Sequence, residues 1–243
     1  MLKQKKVIVL PSIEKLAEFV TGLLIEKINQ AQAGQSITVA LSGGSTPGKI
    51  FESVSLNDTG LVDWNKIKFF WGDERCVPPD DPDSNYLMAR QCLFEQLNIP
   101  GGNIFRIQGE EEPEKEAVRY SRIISENVRV EDHLPRFDLI LLGLGEDGHT
   151  ASIFPDNTEM FNSTRFCEVA THPKSGQQRI TLTGPVINNA KDIVFIVTGS
   201  AKSRIVAEII HDNGKAGFPA SLVKPVKGKL TWLLDEEAAK LLS

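Results

Sequence analysis

Apolar residues along this chain change period repeatedly. Short runs dense in apolar residues fall at residues 7–10, 36–41, 67–71, 104–107, 137–142, 166–170, 193–197 and 230–234, and residues 178–183 alternate. Runs of that length and character predict strands, most of them buried. Between them the period becomes helical. Ile13, Leu16, Ala17, Val20, Leu23, Leu24 and Ile28 keep helical spacing behind a capping Ser12 and ahead of Gly34. Ser84 is placed to cap a helix reaching Leu97, and Gly109 to Pro113 open an acidic helix whose early carboxylates suit its dipole. Lys202 enters a helix through Ile210, and Asp235 caps a short one at the end. Strands alternating with helices at short spacing predict an α/β protein. The expected architecture is one domain over residues 1–243, a Rossmann-like, mostly parallel sheet with helices on both faces.

The polar residues concentrate where these strands end. Strand 137–142 is followed by Gly143, Gly145 and Gly148, with Asp147 placed as an N-cap and residues 148–154 as a short helix that Pro155 stops. His149 then falls in a first helical turn, where the dipole favours neutral imidazole, so it is a candidate general base. Asp147 either holds the imidazole Nδ1–H or caps the helix. The GLGEDG run mimics a dinucleotide fingerprint, yet the helix after it is too short, and Phe166-Cys167-Glu168 stands where a strand-end acid belongs.

Strand 36–41 empties into Ser42-Gly43-Gly44-Ser45-Thr46-Pro47, with a helix through Ile50 and Phe51 behind it. A strand, a small-residue turn and a helix N-terminus present free N–H groups to an anion; Pro47 suits the first helical position. No Walker lysine is present. Strand 67–71 ends in Gly72-Asp73-Glu74-Arg75, where open α/β sheets place ligands, and the proline-rich residues 76–83 look like one wall of a site. The Ser42, Asp73, His149 and Lys202 turns are expected to line one crevice.

Bulk properties narrow the partners. The 243 residues are 41% hydrophobic and 24% charged, ordinary for a globule, and no apolar run approaches the ~20 residues of a membrane span. A cytoplasmic protein is expected, a monomer or small homo-oligomer, with no membrane and no nucleic-acid partner. The net charge of −5 supports the last point, the only short basic clusters being Lys3, Lys5, Lys6 and Lys224, Lys227, Lys229. Cys76, Cys92 and Cys167 show neither disulfide nor zinc spacing, and Cys76 is expected to be an unreactive thiol.

The turns taken in order, ALSGGSTP (40–47), FFWGDERCVPPDDPDSNY (69–86), LLGLGEDGHTASIFP (141–155), QRITLT (178–183) and VTGSAK (197–202), resemble the 6-phosphogluconolactonases of the sugar-phosphate lactonase and amino-sugar phosphate isomerase superfamily. That resemblance implies hydrolysis of the δ-lactone of 6-phosphogluconate in the oxidative pentose phosphate pathway, with no metal and no cofactor. It implies His149 as the proton-transfer residue, Asp147 as its acidic neighbour, and Asp73 with Arg75 as the charged pair at the sugar end. Ser42, Gly43, Gly44, Ser45 and Thr46 match the phosphate turn, and Arg179 and Lys202 match basic residues at the phosphate of a small sugar-phosphate substrate. The related deaminase-isomerases carry Asp-Glu-Tyr where this chain has Asp73-Glu74-Arg75, and a segment ending in Asn-Glu-Pro where it has Ser152-Ile153-Phe154-Pro155. A non-catalytic sugar-phosphate sensor and a dinucleotide oxidoreductase are the remaining alternatives.

Overall fold

The computed structural model describes residues 5–32, 34–211 and 217–242. Lys3, in one expected basic cluster, lies outside them. Six strands form the central sheet: β1 (Lys5–Leu10), β2 (Ile37–Leu41), β3 (Ile67–Trp71), β7 (Leu139–Leu142), β10 (Asp192–Val197) and β11 (Lys229–Asp235). Their order is β1-β11-β10-β7-β2-β3, and every pairing is parallel. This is the expected Rossmann-like α/β architecture. Every residue of β2 and of β7 is buried, as strands covered on both faces must be.

Helices flank the sheet. They are α1 (Ile13–Gln30), α2 (Ser45–Leu56), α3 (Asn85–Ala89), α4 (Pro113–Asn127), α5 (Gly184–Asn189), α6 (Ser203–His211) and α7 (Glu236–Ala239). Ser12, Ser84, Glu112 and Asp235 accept backbone N–H groups at four of their starts, satisfying donors that have no partner inside a helix. The helix from Ser84 is interrupted: a π turn, Arg90–Phe94, follows α3. In the core, Phe195 stacks on Trp232 with ring centroids 4.2 Å apart. Buried Tyr120 accepts the Trp71 N–H through its hydroxyl and donates to the Trp71 carbonyl.

The expected strands near 166–170 and 178–183 exist, but in a second sheet. β8 (Cys167–Thr171) and β9 (Gln178–Leu182) pair antiparallel, and β9 pairs antiparallel with β4 (Asp73–Arg75). The charged turn after β3 is therefore itself a strand. Gly72 joins the two sheets, donating to the Leu41 carbonyl at the end of β2 and accepting from the Leu182 N–H at the end of β9. A short ribbon pairs β5 (Val130–Glu131) with β6 (Leu134–Pro135).

Three other expectations are corrected. Residues 104–107 form no strand: Ile104 makes a single bridge to Phe69, capping the β3 edge. Residues 148–154 form no helix, because Gly148 and Ala151 take positive φ values of 80° and 48°, which interrupt right-handed helical backbone. Pro155 begins a 3-10 segment, Pro155–Asn162, instead of ending a helix. Pro47 is the third residue of α2, not the first.

Candidate active site

The carboxyl ends of β2, β3, β7 and β10 open onto one cavity of about 260 Å³. Ser42, Gly43, Gly44, Ser45, Thr46, Asp73, Arg75, His149, Arg179 and Lys202 all line it. Asp147 is absent from the wall but bonded to a residue that forms it.

At one side of the cavity β2 delivers Ser42 to the turn before α2. Gly44 stands at φ +102°, a conformation only glycine adopts easily, and no side chain caps the helix. Gly48 N–H is the first of α2 to find a helical carbonyl, at Gly44, and Pro47 has no N–H to offer. The Ser45 and Thr46 N–H groups are thus left to a ligand, at the positive end of a helix of 12 residues. The Ser42 hydroxyl is buried with no hydrogen-bond partner among the described residues. Thr46 and Thr198 share a hydroxyl hydrogen bond of 2.7 Å, tying the turn to the end of β10.

Lys202 forms no ion pair among the described residues. Arg179 is only 12% exposed and stands 4.0 Å from Asp73. Burial pulls its guanidinium below its ordinary value, with Asp73 opposing. Its Nε is buried and unbonded. Arg75 donates to the Asp83 carbonyl. Three cations and one carboxylate thus line this cavity in a chain of net charge −5. Such a concentration of positive charge attracts anions.

At the other side the β7 turn folds around His149. Asp147 Oδ1 lies 2.6 Å from His149 Nδ1 and accepts the His149 N–H at 3.1 Å. Asp147 therefore orients the ring and stabilises the turn; with no helix present, its capping role and the dipole expected at His149 both lapse. Burial works against the Asp147 carboxylate, but the His149 charge and hydrogen bonds outweigh it and hold its pKa below the usual value. Nε2 has no protein partner among the described residues. A Cβ on Gly145 would meet Nδ1 at 2.1 Å and Asp147 Oδ1 at 2.7 Å, so the pair lies directly against that glycine.

Asp73 and Arg75 face the cavity, and the intervening Glu74 points away, following strand alternation. Asp73 accepts from Ser152 Oγ at 2.6 Å. Glu74 is buried and accepts the N–H groups of Arg75, Asn85 and Tyr86 and the Ser84 hydroxyl. Burial pushes its carboxyl up to about 7 against the pull of those donors, and Asp73 adds to the rise. Sequence reasoning missed Glu74 and Asn85. Asn85 lines the cavity and donates to the Asp73 carbonyl, with its Oδ1 where a Cβ on Gly43 would sit. Alternation along Asp73-Glu74-Arg75 was a signal for Glu74; Asn85 has none.

Burial lifts the Cys76 thiol to about 11, as expected for an unreactive cysteine, and all three cysteines are free. Among the described residues no three His, Cys, Asp or Glu side chains gather as a metal ligand set. No helix among them is long and apolar enough to cross a membrane.

The fold and this cleft define a class, an α/β protein with an uncapped helix N-terminus and a paired histidine at the carboxyl edge of its sheet. Residues 11–232 match the family model described as glucosamine-6-phosphate isomerases/6-phosphogluconolactonase, and the chain belongs to that family. It is 42% identical over 197 residues to the 6-phosphogluconolactonase of Treponema pallidum, covering 81% of this chain and 82% of that one. It is 38% identical over 237 residues to that of Aggregatibacter actinomycetemcomitans, covering 95% of both. Among solved structures, 6-phosphogluconolactonase from Trypanosoma cruzi superposes with a TM-score of 0.87 at 30% identity, covering 100% of this chain and 98% of that one.

Proposed function

We propose that the protein hydrolyses 6-phospho-D-glucono-1,5-lactone to 6-phospho-D-gluconate in the oxidative pentose phosphate pathway. The observation that carries this reading is the sharing of one small cavity by the Asp147–His149 pair and an uncapped helix N-terminus flanked by Lys202 and Arg179. At about 260 Å³ the cavity falls just below the ~300–1,000 Å³ of ordinary ligand clefts, a size for one phosphorylated monosaccharide and too small for a dinucleotide.

The phosphate sits on the Ser45 and Thr46 N–H groups and the Ser42 hydroxyl, with Lys202 and Arg179 supplying charge. This remote anchor places lactone C1 beside the imidazole. With Asp147 holding Nδ1–H, Nε2 takes a proton from water as the water oxygen bonds to C1. Negative charge moves onto the carbonyl oxygen, where Arg75 or the N–H groups of the Gly143 turn stabilise it. Collapse breaks the bond from C1 to the ring oxygen, and His149 returns its proton to that oxygen. The products are the carboxylic acid and a free hydroxyl, and the histidine is regenerated.

The isomerase branch of the family is disfavoured by Ser152-Ile153-Phe154-Pro155: Ser152 binds Asp73, and no carboxylate occupies this segment. The test is acid release from freshly prepared lactone, corrected for spontaneous hydrolysis. Acceleration by the protein is expected; release at the spontaneous rate would remove the lactonase reading.

A further inference from the structure

A second cavity, of about 680 Å³, lies at the opposite pole of the sheet, where its strands begin. Thr38, at the start of β2, lines this cavity, and Ser42, just past the end of the same strand, lines the first. At ~3.3 Å per residue the two are about 13 Å apart along the strand. Five cations line the second cavity, Lys27, Lys68, Arg129, Arg136 and Lys191, against one lining carboxylate, Asp138.

Three of the five have carboxylate partners. Lys27 pairs with Asp192 at 2.5 Å, Lys191 with Asp138 at 2.6 Å, and Arg136 with Glu131. The C-terminal ends of α1, at Gln30 and Ala31, and of α4, at Asn127, also line the cavity, and cations offset their partial negative charge. The remaining two are in surplus. Among the described residues Lys68 donates only to the neutral Asn127 side chain, and it lies over the Phe105 ring. Arg129 forms no ion pair among the described residues, and the Arg136 Nε is buried without a hydrogen-bond partner. No aromatic side chain lines the cavity, so it offers no platform for a base.

We propose that this cavity is a second ligand site, selective for a compact phosphate-bearing polyanion, with Lys68 and Arg129 as the principal contacts. Charge surplus supplies the affinity, and no stacking surface adds to it for a base. The site is separate from the catalytic cleft and does not depend on the reaction proposed there.

Inorganic pyrophosphate is the probe, titrated calorimetrically into the full chain carrying Arg179→Ala and Lys202→Ala, and into the wild type saturated with 6-phosphogluconate. One pyrophosphate per chain is expected in each. Adding Lys68→Ala and Arg129→Ala, or the exposed Arg129→Glu alone, weakens it by about tenfold or more. In an otherwise wild-type chain the same changes leave lactone hydrolysis unaltered. No one-to-one binding in either titration, a stoichiometry well above one, or an affinity indifferent to both Lys68/Arg129 variants overturns the proposal.

Discussion

Gly145 is constrained by its neighbours more than by its own backbone, because the His149 imidazole and the Asp147 carboxylate occupy the space a Cβ would need. Gly145→Ala must displace one of them. It is expected to lower kcat with little change in KM, measured by lactone hydrolysis. Asp147→Asn keeps the shape but not the charge that fixes the ring and its tautomer. It should lower kcat less than His149→Ala, whose loss of general acid–base catalysis is expected to be ~10²–10⁴-fold. Equal activity in the wild type and both variants would remove the dyad from the mechanism. With the phosphate seated as proposed, Arg179→Ala and Lys202→Ala would each delete a charge-assisted hydrogen bond worth ~1.5–3 kcal/mol, so 6-phosphogluconate should bind about 10- to 100-fold more weakly. Unchanged Kd in both would place the phosphate elsewhere.

Among the elements, β4 carries the largest burden. It turns Asp73 and Arg75 into the cleft and Glu74 toward residues 84–86, where one carboxylate gathers four donors. Its raised pKa means the native state binds a proton that the unfolded chain releases near 4.5. Stability linked to this group is thus present below pH 4.5 and lost as the pH rises through about 7. Urea midpoints of the wild type should fall across that window relative to Glu74→Gln, which cannot titrate. Parallel curves would mean that the four donors cancel the effect of burial and leave the pKa where the unfolded chain has it.

Much of this level was legible in the chain. β2, β3, β7, β10 and β11 read as strands because apolar runs bounded by glycine-rich turns have few other uses, and Ser12, Ser84 and Asp235 cap the helices their positions suggested. Two things were not. Apolar alternation identifies β8 and β9 as strands without saying which sheet they join; Gly72, bridging Leu41 and Leu182, makes that decision through backbone contacts that leave no periodic trace. The segment after His149 has helical composition, yet Ala151 is held at positive φ by tertiary context. His149, Asp147 and the Ser42 turn were readable since each follows a strand; Asn85 was hidden because its role depends on Gly43, far away in sequence.

For the molecule as a whole, each end of one parallel sheet carries a cavity with more cations than carboxylates in its lining. Carboxyl ends of strands meet the start of α2 and form the small cleft with its histidine, while the opposite pole holds the larger cation-lined cavity. The central claim concerns the first: an imidazole and an anion seat open into one space sized for a single sugar phosphate. Its most direct test is the initial rate of acid release from fresh 6-phosphoglucono-1,5-lactone, with wild type and His149→Ala assayed side by side. The wild type should far exceed the spontaneous rate and His149→Ala should fall back toward it. A wild type no faster than buffer, or a variant as fast as the wild type, would contradict the account.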